Sequence, residues 1–134
     1  MNACAPDTHV WVWWLSGSDR LSTRESSGLD QLASKGELRL AAISLWEVHM
    51  AFAKGRFVPE DGFERWLRTA AAPETIQLVP LDVPVALALN SLPGRLHADP
   101  ADRLIVAPAR AYRCELATHD TTLRKLRVAP LWKA

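Results

Sequence analysis

Strand-like and helix-like stretches alternate along this chain, and that alternation limits what it can fold into. Leu38-Arg-Leu-Ala-Ala-Ile43, Ile76-Gln-Leu-Val79 and Cys114-Glu-Leu-Ala-Thr118 read as strands, short and largely apolar. Helical spacing fills the intervals. Residues 22–34 suit a polar helix weakened by Gly28, and Ser44 opens a second that runs to about Lys54-Gly55. Residues 60–72 place Phe63, Trp66 and Leu67 on one face, and Pro84 opens a helix reaching Leu92. Asp99-Pro100 starts another. A short segment ending at Asp7 leads into an apolar, tryptophan-rich helix that Ser16-Gly-Ser-Asp19 breaks, and Val128–Trp132 suits a short edge strand. Strands joined through helices pair in parallel, with helices on both faces. The expected fold class is therefore α/β, a three-layer α/β/α arrangement around a mainly parallel sheet. The length suits a single domain over residues 1–134.

Composition narrows the function only by exclusion. The apolar run Val10-Trp-Val-Trp-Trp-Leu15 is far shorter than the roughly 20 residues needed to span a bilayer. Asp7 and His9 stand where a signal peptide would be apolar, so the reading is a cytoplasmic protein without membrane attachment. Cys4 and Cys114 form no CxxC pair and are expected to remain thiols. A formal net charge of +1 means that affinity for phosphate must come from local arrangement or from a bound cation.

Four carboxylates carry the chemistry. Asp7, Glu47 and Asp120 each follow a strand by a few residues, and Asp102 lies at a helix start. Singly, each has a structural explanation. Ser44-Leu-Trp-Glu47 and Asp99-Pro-Ala-Asp102 have capping-box spacing, and Asp7 and Asp120 suit N-caps. Together they say more, because helix N-termini after parallel strands open on one edge of the sheet. Acids crowded there raise one another's pKa, and a divalent cation with oxygen preference, Mg²⁺ or Mn²⁺, resolves the repulsion. Asp99 competes with Asp102, and one residue of register decides which faces the pocket; the expected assignment is Asp99 as the cap and Asp102 as the ligand.

Asp7-Thr-His-Val-Trp-Val-Trp-Trp, Ile43-Ser-Leu-Trp-Glu47, His97-Ala-Asp-Pro-Ala-Asp-Arg-Leu-Ile105 and Leu116-Ala-Thr-His-Asp120 resemble, in order, the four signature segments of PIN domains. Within that family they are similar to the VapC-type toxin nucleases of toxin–antitoxin pairs. The resemblance implies cation-dependent hydrolysis of RNA phosphodiesters by Asp7, Glu47, Asp102 and Asp120, with Ser44 and Thr118 as small polar supports. It implies Asp7 and Asp102 as direct ligands, and Glu47 and Asp120 acting through water or a second ion. Arg95 and Arg103 become candidates for RNA phosphate, and His9, His97 and His119 lie beside the acids. The implied partners are RNA, a small antitoxin and a second copy of the chain. The Trp-rich first helix and the 44–66 region are the candidate protein contacts, two of Trp11, Trp13 and Trp14 packing inward and at least one staying exposed.

Two prolines depart from the family pattern. Pro6 sits where an aliphatic run usually enters the sheet, so the first strand should be short or bulged with Pro6 at its end. Pro108 falls inside the helix after Asp102, where a kink or local distortion is expected. A PIN fold surviving as a binding protein with weak or lost activity is the alternative these prolines keep open. A receiver-like module and an aspartate phosphatase fit worse, lacking their paired acids after the first strand.

Overall fold

The computed structural model describes residues 3–94 and 99–134. Four three-residue strands form its centre: β1 (Cys4–Pro6), β2 (Arg39–Ala41), β3 (Gln77–Val79) and β4 (Glu115–Ala117). β1 pairs in parallel with β4 and β2 with β3. A parallel bridge from Cys4 to Leu38 joins the two pairs, with the Cys4 N–H donating to the Glu37 carbonyl at 2.8 Å. Leu131 bridges Leu116 on the outer side of β4. The spatial order is therefore β3-β2-β1-β4 and then the C-terminal segment.

Side chains alternate across this sheet with the period of two that strands impose. Cys4, Leu40 and Ala117 pack on one face with Trp11, Leu29 and Val48. Ala5, Ala41 and Leu116 pack on the other with Val85, Ile105 and Val106. Among the described residues, seven helices supply these layers: α1 (Thr8–Ser16), α2 (Thr23–Ser34), α3 (Ile43–Ala53), α4 (Phe63–Ala70), α5 (Val83–Asn90), α6 (Pro100–Ala111) and α7 (Thr121–Leu126). Both cysteines are buried and free.

Pro6 ends β1 as expected, and the ladder continues past it through the Asp7 N–H, which donates to the Ala117 carbonyl at 2.9 Å. α6 runs unbroken through Pro108, which is buried. The expected distortion does not interrupt the helix, since burial of Ile105–Ala109 supplies packing that offsets one lost donor.

Gly28 has a packing reason rather than being a weak point in α2. A Cβ there would stand 2.8 Å from Cζ2 of Trp132, so the absent side chain lets the C-terminal segment dock. The tryptophans distribute differently from the expectation. Trp11 is fully buried and its indole N–H donates to the Ala70 carbonyl at 3.0 Å. Trp13 and Trp14 are half-buried, Trp14 being held by Asp30, and the exposed tryptophan is Trp46 on α3.

Candidate active site

The parallel topology places the N-termini of α1, α6 and α7 on one edge of the sheet, and each begins with an aspartate. Asp7 caps α1 by accepting from the Val10 N–H at 2.8 Å. Asp99 caps α6 through the Ala101 N–H at 2.9 Å, and Asp120 caps α7 through the Leu123 N–H at 3.0 Å. These caps are ordinary local chemistry, an extended residue offering oxygen to unpaired helix donors. Capping therefore positions the acids and does not compete with a role for them.

Ser44 and Glu47 correct the sequence reading. α3 begins at Ile43, behind Ala42, which is already helical and makes no side-chain cap. Ser44 is consequently inside the first turn, buried, and cannot form the expected capping box. Its hydroxyl lies 2.8 Å from that of Thr8, whose own hydroxyl donates to Glu47 Oε1 at 2.5 Å. Thr8 has one proton to give, so Ser44 donates to Thr8 and Thr8 to Glu47. Thr8 is the residue that sequence reasoning missed. Its signal was adjacency to Asp7, which puts it on the first turn facing α3.

Thr118 performs the matching task for Asp7. Its hydroxyl donates to Asp7 Oδ2 at 2.5 Å and accepts from the Asp120 N–H at 3.0 Å. One threonine at the end of β4 thus ties two of the acids together.

Asp7, Glu47, Asp99, Asp102 and Asp120 all line one pocket of about 220 Å³. Asp99 is the cap of α6, as expected, and Asp102 lines the pocket; Asp99 lines it too, so capping does not exclude it from the site. Burial raises the Asp7 pKa, opposed in part by the hydrogen bonds from Thr118 and Val10. Asp102 is pushed up to about 6, first by burial and then by the charges of Asp99, Asp120, Glu47 and Asp7. Carboxylate crowding of this kind is what a cation relieves.

The donor set is carboxylate oxygen with hydroxyl support, which suits Mg²⁺ or Mn²⁺ rather than a thiolate-seeking metal. Among the described residues, no group of three or more acidic, histidine or cysteine side chains stands placed to hold a metal ion. Each capping or hydroxyl-bound acid points at a protein donor instead, an arrangement compatible with an ion that keeps several waters.

The other candidates fall at the margins. His119 Nε2 donates to the Glu25 carboxylate at 2.7 Å and the ring meets Trp13 edge-on, so α2 holds it. His9 is exposed beside the acids and packs on Trp13. Arg103 is half-buried on α6, while Arg95 and His97 lie outside the described residues. Arg20 emerges instead, stacked over Trp13 and lining an adjoining pocket with Asp7 and Asp120.

Residues 4–129 match the PIN domain family. The chain belongs to that family. Ribonuclease VapC22 of Mycobacterium tuberculosis (strain ATCC 25618 / H37Rv) is 34% identical over 121 residues, covering 90% of this chain and 89% of the relative. Among solved structures, VapBC2 from Rickettsia felis bound to a DNA fragment from its promoter superposes with a TM-score of 0.72 at 14% identity, over 97% of each chain. FitAcB from Neisseria gonorrhoeae gives 0.68 at 22% identity, over 97% of this chain and 96% of that one. At such identities the structural likeness speaks for the PIN fold, here helices around parallel strands.

Proposed function

We propose that this PIN domain is a divalent-cation-dependent endoribonuclease, acting in the cytoplasm as the toxin of a toxin–antitoxin pair. The observation that carries the reading is the gathering of five carboxylates in one pocket, where burial first and the neighbouring charges second raise Asp102 to about 6. A relative named as a ribonuclease, similar over nine-tenths of the chain, supports it.

A bound Mg²⁺ or Mn²⁺ would make water a better nucleophile and neutralise charge on the phosphate and leaving oxygen. Asp7 and Asp102 would hold it directly, Asp7 fixed by Val10 and Thr118 and Asp102 presented from the first turn of α6. Glu47, held by Thr8, would accept a hydrogen bond from water and orient it toward phosphorus. Asp120 is exposed and completes the acidic rim where substrate enters. Arg20, which lines an adjoining pocket with Asp7 and Asp120, and Arg103, next to Asp102 in sequence, are the candidates for substrate phosphate.

The assembly proposed is a homodimer held inactive by a small antitoxin, with exposed Trp46 on α3 as a contact. Among the described residues no helix is long and apolar enough to cross a membrane.

Cleavage of single-stranded and structured RNA with Mg²⁺, Mn²⁺ or EDTA tests the activity. The expected result is cleavage with either cation, none in EDTA, and none with Asp7→Asn or Asp102→Asn. Cation-dependent cleavage that survives both substitutions overturns the site. A folded wild type that cleaves no RNA with either cation favours the binding-protein alternative.

A further inference from the structure

Beside the outer edge of β4, away from the acids, lies a groove of about 1220 Å³. Arg110 and Arg113 at the end of α6, Arg124, Lys125 and Arg127 around the end of α7, and Lys133 from the C-terminal segment line it. Its remaining lining is apolar, and no carboxylate among the described residues joins it. In a chain whose net charge is +1, so many cations in one concavity create a local field that calls for a polyanion.

The backbone adds an independent indication. Among the described residues, Arg113 (φ 54°) and Arg127 (φ 50°) are the non-glycine residues with positive φ. Both follow or close a helix, the position where glycine is usual, and the left-handed conformation costs an L-residue roughly 1–2 kcal/mol. Both line this groove. Arginine stands at the two points where glycine would be easier, which indicates that the guanidinium groups matter more than the backbone cost.

Two further guanidinium groups are anchored. Arg124 donates to the Thr118 carbonyl at 2.7 Å and Arg110 to the Val128 carbonyl at 3.2 Å. Each bond uses part of a five-donor fork and leaves the rest for a ligand. α7 then links groove and pocket, since Asp120 at its N-cap lines the pocket and its last turn lines the groove. A six-residue helix spans about 9 Å, a distance of a few nucleotides.

We propose that this groove holds the phosphate backbone of RNA on one side of the phosphodiester that enters the acidic pocket. Guanidinium forks suit phosphate oxygens, and such contacts position a strand without reading its sequence. The inference rests on the ribonuclease reading for what happens at the pocket. The binding it describes can be measured without it.

The test is the affinity of a fluorescent single-stranded RNA for the full chain in EDTA, where no cleavage occurs. Arg113→Gly with Arg127→Gly removes two charges and relieves both positive-φ positions, so this variant should melt at or above the wild-type Tm. Its RNA affinity should fall at least about fivefold at 0.1 M salt, and the dependence of log Kd on log salt should flatten by about 1.4. Lys125→Gln should act in the same direction with roughly half the change in slope. Wild-type affinity and slope in a folded double variant overturn the groove, as does equally tight binding of poly-glutamate. Failure of the ribonuclease reading looks different: RNA binding in EDTA stays groove-dependent, yet Mg²⁺ and Mn²⁺ produce no cleavage.

Discussion

On one wall of the acidic pocket, Asp7 is 7% exposed and both of its oxygens accept hydrogen bonds, from Val10 and Thr118. On the other wall, Asp102 is half-buried, and burial first, then the charges of Asp99, Asp120, Glu47 and Asp7, push it up to about 6. Asp7 belongs to the fold as well as to the pocket, since it follows β1, caps α1 and anchors the end of β4. Asp102 is electrostatically frustrated in the absence of a cation. The contrast separates two requirements of a metal site, a fixed ligand that sets position and an uncompensated charge that sets affinity.

The largest effect should come from exchanging the two acids one at a time. Asp7→Ala and Asp102→Asn should each lower RNA cleavage at least about a hundredfold, because a cation loses a ligand. Their effects on the metal-free fold should have opposite signs. Asp7→Ala removes an N-cap and the partner of a buried hydroxyl, a loss of about 2 kcal/mol. Asp102→Asn relieves charge crowding, a gain of about 1 kcal/mol at pH 7.5 after allowance for solvent screening. Urea denaturation in EDTA reads both. Equal destabilisation by the two variants would erase the contrast.

A smaller effect should follow from cutting the hydroxyl chain that serves Glu47. Thr8→Val keeps shape but leaves Ser44 without its acceptor and Glu47 without its donor. Cleavage should fall about tenfold while the cation requirement persists, with a stability loss of about 1 kcal/mol. Thr8→Ser should restore most of the activity, because the hydroxyl rather than the methyl group carries the contact. A Thr8→Val enzyme with unchanged kcat would show that Glu47 needs no positioning.

How much of this the sequence discloses depends on whether the signal is local. Helix starts are local, so Asp7, Asp99 and Asp120 could be recognised as N-caps from their own neighbours, and parallel topology then placed them on one edge. Ser44 and Glu47 were misleading for the same reason. Their spacing is that of a capping box, but Ala42 had already entered the helix, and no pattern within a few residues reveals that. Asp99 and Asp102 share one helix start, so the cap could be assigned to Asp99 from local sequence, but not that both acids line the pocket. Trp46 stays exposed because α3 turns Ser44 and Val48 inward, a matter of helix rotation that tryptophan count cannot decide. The basic groove was invisible because its cations are spread from Arg110 to Lys133 and meet only when two helix ends and the C-terminal segment converge.

The smallest expected effect sharpens the comparison through pH. Asp102 has a folded pKa of about 6 against an ordinary value of 3.8, and Asp7 is shifted in the same direction. A carboxyl raised in this way binds its proton more tightly folded than unfolded. Its contribution is therefore fully present below the unfolded pKa and is lost as pH rises through the folded one. Metal-free protein should lose stability between about pH 4 and pH 7 relative to Asp102→Asn, which lacks that titration. Mg²⁺ competes with the same protons, so its stabilising effect should be weak at pH 5 and larger at pH 7.5. About 1 kcal/mol corresponds to a difference of roughly 3–5 °C in Tm for a chain of this size. Thermal melts of wild type and Asp102→Asn, with Mg²⁺ or EDTA at both pH values, measure it. A Mg²⁺-induced shift that is the same at both pH values, or that persists unchanged in Asp102→Asn, would remove Asp102 from the cation's ligands and leave Asp7 as the anchor of a different site.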